Sequence, residues 1–155
     1  MATTISPATL TVTITEAISL NGQDKGSTNV LTIASVVEVS QRIVEVPLSE
    51  ITILAFQATN PGAGTFDEAD VRYIRLTNKD DTNFIQIIIA SENSNESAHK
   101  LEKGHSMLIA VSDEGVVNVH DADSSALTVS FDDITSITAL ADTAACDIEI
   151  FVAGV

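Results

Sequence analysis

The side chains best equipped for chemistry in this 155-residue chain are three histidines, one cysteine and 22 Asp and Glu residues. His99, His105 and His120 do not stand at the H-x-x-x-H spacing that places two imidazoles on one helix face for zinc, so surface and turn roles are expected for them. Cys146 is alone, which excludes an intramolecular disulfide and a cysteine zinc site. Its setting, Ala144-Ala145-Cys146-Asp147-Ile148, reads as that of a small buried hydrophobe. Asp121 and Asp123 with Asp132 and Asp133 are the candidate oxygen ligands for a hard cation such as calcium, although they do not follow a D-x-[DN]-x-[DN]-G loop with its distant Glu. Asp67, Glu68 and Asp70 form a second acidic group with less support. Solvated acidic turns account for both, so no metal and no other cofactor is expected.

Two carboxylates suffice for glycoside hydrolysis, and the acids of this chain permit many pairs. The residues that would hold such substrates are scarce. There is no Trp and only one Tyr, and aromatics make up 4% of the chain, which leaves few platforms for stacking sugars or bases. No G-x-S-x-G elbow, G-x-G-x-x-G loop or Walker sequence is present. The many Ser and Thr residues belong to outward strand faces and need no nucleophilic role. No enzyme is expected, and no catalytic residue is assigned.

The elements that carry these residues read as strands. From Thr9 to Leu20, Leu10, Val12, Ile14, Ile18 and Leu20 share one parity and Thr9, Thr11, Thr13, Thr15 and Ser19 take the other. Period two predicts one face toward a core and one toward water or a neighbour, with a bend or a local edge at Glu16 where the pattern breaks. Asn21-Gly22 predicts a turn, extended through Gly26–Asn29 as a loop. Strands follow over Val30–Val46, ended by Pro47, and over Ile51–Phe56. Val71–Leu76 and Phe84–Ala90 flank Thr77–Asn83 and predict a β-hairpin with a polar tip, its second strand central. Ser91–Lys103 is a polar excursion. Strands are expected at Met107–Val111, Val116–His120, Ala126–Val129, Ile134–Leu140 and Cys146–Val152. Only Ser91–Lys103 and Thr135–Ala145 have room for a helical turn. The pattern predicts an all-β protein, a single antiparallel β-sandwich of jelly-roll or Ig-like type with about nine to ten short strands. Residues 1–8 form an N-terminal arm and 9–155 the sandwich.

Seven Lys and Arg against 22 Asp and Glu leave a net charge of −15. So few and scattered cations argue against nucleic acid, whose affinity rests on neutralising phosphates. A 45% hydrophobic content excludes a disordered acidic tail. The first residues lack the basic and apolar regions of a signal peptide, and no apolar run approaches the ~20 residues of a membrane helix, so synthesis in a reducing cytoplasm and no membrane partner are expected. Arg42, Arg72 and Arg75 fall in strand-like segments. There they either lie on an exposed face, pair internally with an acid, or reach a carboxylate of a neighbouring subunit.

Three stretches bear a resemblance. Val37–Pro47, Val71–Asn83 and Leu101–Ile109 are laid out as a strand, Thr77-Asn78-Lys79-Asp80, a strand, then Gly104-His105-Ser106 before an apolar strand. This layout resembles small virion structural proteins of tailed bacteriophages, particularly marine ones, over about the middle half of the chain. The resemblance implies a non-enzymatic β-sandwich that assembles on a virion. The function expected from it is that of a capsid decoration, or cement, protein on the head exterior. Such a protein would bind the major capsid protein or another virion protein as a homo-oligomer, with a trimer favoured. Expected contact residues are Ile5 and Pro7 of the arm, Asn21 and Gly22, Asn60 and Pro61, and Arg42, Arg72 and Arg75. A tail, fibre or vertex component is the nearest alternative. A carbohydrate- or calcium-binding adhesion module, sited at the acidic turns, is the alternative from another class.

Overall fold

The computed structural model describes residues 4–59, 61–62, 64–110 and 131–155. His120, Asn60, Asp121, Asp123 and the strands expected at Val116–His120 and Ala126–Val129 lie outside the described residues. Among the described residues every regular element is a strand. In chain order these are β1 (Ala8–Glu16), β2 (Ser19–Leu20), β3 (Gln23–Asp24), β4 (Ser27–Val36), β5 (Glu38–Val46), β6 (Ile51–Gln57), β7 (Phe66–Asp67), β8 (Val71–Asn78), β9 (Ile85–Ser91), β10 (Glu96–Leu101), β11 (Ser106–Ala110), β12 (Ile134–Ala141) and β13 (Cys146–Gly154). The count exceeds the nine to ten expected because bends split the long periodic runs and because segments expected as turn, loop or polar excursion form β3, β7 and β10. Val30–Val46 divides between β4 and β5 at Val37, and Thr9–Leu20 divides after Glu16, where the bend was predicted.

Two sheets make the sandwich. One has the order β10-β9-β12-β6-β7 and the other β11-β8-β13-β5. All their pairings are antiparallel except the short parallel contact of β7 with β6. The core between them is aliphatic. Val46, Leu76, Ile148, Ile150 and Val152 from one sheet meet Ile53, Leu54, Ile85, Ile87 and Ile137 from the other. Cys146 is buried in this cluster as a small hydrophobe, and burial raises its thiol pKa. β9 is central in its sheet, as its apolar run predicted.

Three expectations of local structure are corrected. Ser91–Lys103 and Thr135–Ala145 hold no helical turn: the first forms β10, hairpinned to β9, and the second completes β12. Gly26–Asn29 does not extend a loop but returns into β4, with Thr28 opposite Thr15. Thr77–Asn83 is not a hairpin tip, because β8 and β9 lie in different sheets. It is the corner by which the chain crosses from one sheet to the other.

That corner brings Thr77 and Asn78 beside Gly104, His105 and Ser106. Buried Asn78 donates from Nδ2 to the carbonyls of Asn83 (2.9 Å) and Leu101 (3.2 Å), and its Oδ1 accepts from the Asp80 amide (2.9 Å). Its backbone amide donates to the His105 carbonyl and its carbonyl accepts from the Gly104 amide. Asp80 in turn accepts from the amides of Thr82 and Asn83, which holds its carboxyl below the ordinary aspartate range. Thr77 and Ser106 share a hydroxyl–hydroxyl contact at 2.8 Å. Gly104 takes φ +70°, a conformation side chains resist, which tightens the turn into β11.

Candidate functional site

The hydrophobic pattern of β1 sets the geometry of the most conspicuous surface. Among the described strands β1 and β4 pair only with each other, and β2 and β3 continue their ladder toward the Asn21-Gly22 turn. Asn21 and Gly22 both have positive φ, 52° and 76°, as a two-residue hairpin turn of right-handed twist requires. Residues 8–36 are thus one long β-hairpin. The step between its two segments depends on Gly26, where any Cβ would strike the Glu16 carbonyl. Ser27 Oγ donates to the Glu16 carboxylate at 2.6 Å across the same step.

At the base, the hairpin leans on the outer face of the four-stranded sheet. Leu10, Val12 and Ile33 cover Tyr73 and Phe151, whose rings meet edge-on with centroids 6.0 Å apart. One extra residue in β4 breaks the register between Ala8 and Leu10, and Ser35 adopts φ +61° beside it. Such a bulge turns the strand and aims the hairpin.

Beyond the base, the expectation of a core-facing strand fails. Residues 13–32 are exposed without exception. They include Ile14, Val30 and Leu31, together with Ile18 (56% exposed) and Leu20 (58% exposed) near the tip. Register places Ile14 and Leu31 on the same side as Leu10, Val12 and Ile33, so the apolar face that packs at the base continues uncovered. Period two reports amphipathicity, and nothing in it says how far the sandwich extends beneath the strand.

A second exposed apolar stripe lies on β5. Val39 and Ile43 stand opposite Ala153 and Glu149 on the outer face and are 57% and 62% exposed. β5 pairs with β13 on one side and with no other described strand.

The three arginines are engaged within the chain. Arg75 Nη2 meets the Glu149 carboxylate at 2.5 Å, the guanidinium lies 6.0 Å from the Phe151 ring centroid, and Nη1 bonds the Thr77 hydroxyl. Glu149 is held below the ordinary glutamate range by the hydrogen bond from Arg75, against the opposing effect of desolvation. Arg42 bridges the open end of the sandwich by donating to the Ile53 carbonyl of β6. Arg72 donates to the carbonyls of Ala69 and Val71. Ile5, Pro7 and Pro61 are exposed in irregular chain, away from these pairs.

Of the cation candidates, Asp132 is buried and its carboxylate is occupied. Ser91 Oγ donates to Oδ2 at 3.1 Å, Asn95 Nδ2 to Oδ2 at 2.7 Å and Asn93 Nδ2 to Oδ1 at 2.7 Å. The Asn93 amide leads these donors in lowering its pKa. Asp133 lies beside Glu68, whose pKa is raised by burial first, then by Asp133, Glu92 and Asp67. Among the described residues, no group of three or more His, Cys, Asp or Glu side chains is placed to hold a metal ion. Sequence reasoning missed Asn93 and Asn95, which only folding brings to Asp132. It assigned Leu20, Ile14 and Ile18 to a core face, and placed Ile43 among ordinary strand residues. A −1 charge over residues 1–36, against −14 over the rest, was available as a signal that the hairpin differs.

The geometry defines a class, an antiparallel β-sandwich from which an apolar hairpin of low net charge projects. Compared with known proteins, the chain matches no family model and no curated protein.

Proposed function

We propose that this chain is a non-enzymatic virion structural protein, a capsid decoration protein that binds the assembled phage head from outside and stabilises it. The single observation that carries the reading is the hairpin at residues 13–32, fully exposed yet lined by Ile14, Ile18, Leu20, Val30 and Leu31. A two-stranded ribbon is marginally stable alone in water, and an apolar ribbon kept in solution marks a surface meant to be covered. Support also comes from the resemblance to phage virion proteins; two stretches that carry it, Thr77–Asp80 and Gly104–Ser106, meet at one corner of this chain. The acidity of the rest of the molecule suits an exterior position that needs no contact with packaged DNA.

The test is binding of the purified protein to undecorated phage heads, with its copy number measured against major capsid protein. Saturable, stoichiometric binding is expected. A protein that ignores heads, yet melts at a higher temperature when calcium is added, refutes the reading and favours the adhesion module.

A further inference from the structure

We propose that the outer half of the hairpin docks on the outer face of β5 in a second copy of this chain, so that copies join head to tail. The inference rests on the assembly reading above and names the partner of the same element.

Four observations point to a second copy. Each chain holds both halves of the contact: an uncovered apolar ribbon at Ile14, Ile18, Leu20 and Leu31, and an uncovered apolar stripe at Val39 and Ile43. Within one chain the same pair of surfaces already meets, because Leu10, Val12 and Ile33 of the hairpin cover Tyr73 and Phe151 on the outer face to which Val39 and Ile43 also belong. The hairpin face runs on past its base and the sheet face runs on to its edge strand, so a neighbour can repeat outside the chain the packing made inside it.

Charge selects the same two surfaces. Glu16, Asp24 and Lys25 are the charged residues of the stretch 13–32, and Glu45 is the one charged residue of β5 on the parity of Val39 and Ile43, because Glu38 and Arg42 share the parity of core-facing Val44 and Val46. The ribbon and the outer side of β5 therefore each carry −1 of the −15 on the chain, so two acidic copies repel little when these faces meet. The ladder adds a reason: β5 offers one side to no described strand, and an open edge with exposed apolar side chains is a template for association. The two patches differ and do not overlap, so the contact is heterologous and satisfies every copy only when a ring closes.

The experiment is light scattering on the full chain after size exclusion, over a range of concentrations, with a hairpin variant (Ile14→Glu with Leu31→Glu) and a stripe variant (Ile43→Glu). All three positions are exposed, and a thermal melt checks that each variant is folded. The wild type is expected to form one discrete oligomer and each variant to be monomeric. Mixed in equal amounts, the two variants are expected to form a heterodimer, because one supplies an intact stripe and the other an intact hairpin. A monomeric wild type, a stripe variant that still assembles, or a mixture that stays monomeric overturns the proposal; Val39→Lys, in place of Ile43→Glu, gives the same readout if that variant misfolds. A monomer that binds phage heads refutes this inference and leaves the decoration reading intact. An oligomer that ignores heads does the reverse.

Discussion

Asn78 has every polar atom of its side chain bonded inside the protein, to Asn83, Leu101 and Asp80. Ala in its place leaves two carbonyls and an amide without this partner at a position that is itself fully buried, so Asn78→Ala is expected to cost about 1–3 kcal/mol, measured by urea unfolding. Asp132 allows a test by pH. Its folded pKa lies below the unfolded one because Asn93, Asn95 and Ser91 donate to the ionised form. Its contribution is then complete above the ordinary aspartate range and is lost as pH falls through the folded value. Asp132→Asn is expected to be less stable than wild type at about pH 7, and the gap to narrow toward about pH 3, read from urea midpoints. Glu68 works in the opposite sense: its pKa is raised by burial first, so protonation in mild acid relieves the desolvation of a charge and then the repulsion from Asp133, Glu92 and Asp67.

At the scale of elements, the hairpin was half legible. Period two located β1, the Asn21-Gly22 pair located its turn, and the charge of Glu16 within the apolar row located the bend. Two features escaped. The Thr77–Asn83 tip has the composition of a hairpin turn, yet it crosses between sheets, because polar turn residues stabilise a reversal without choosing which strand lies beside which. Gly26–Asn29 resembles loop composition, yet pairs in register, because the ladder of β1 satisfies its backbone groups. The aim of the hairpin depends on Ser35 at φ +61°. Ser35→Val forces a branched side chain into that left-handed region and is expected to destabilise the fold by about 1–2 kcal/mol, whereas Ser35→Gly keeps or raises the urea midpoint. Replacing residues 13–30 by an Asn-Gly turn removes chain that buries nothing in the sandwich. In dilute solution the shortened protein is expected to melt within about 4 °C of wild type by circular dichroism.

On the scale of the whole molecule, a charge of −15 opposes any contact between copies, and its centre of balance lies far from neutrality at a sequence pI of about 4.2. Raising salt from about 50 mM to about 500 mM shortens the range of that repulsion, so the oligomeric fraction seen by light scattering is expected to rise. A fraction that falls with salt would show that ion pairs, and not apolar faces, hold the copies together.

The sequence by itself determined what depends on local pattern: an all-β chain, the existence of most strands, the burial of Cys146, and a shortage of cations and aromatics. Those follow from residue type and period, which neighbours two residues apart already express. Tertiary structure alone decided which strands share a sheet, that Arg75 pairs with Glu149, that Asn93 and Asn95 close on Asp132, and that the apolar face of β1 runs past the end of its support. These are contacts between residues tens of positions apart, or the absence of a neighbour, and an alternating pattern reads the same whether its apolar side meets a core or is left for another molecule to cover.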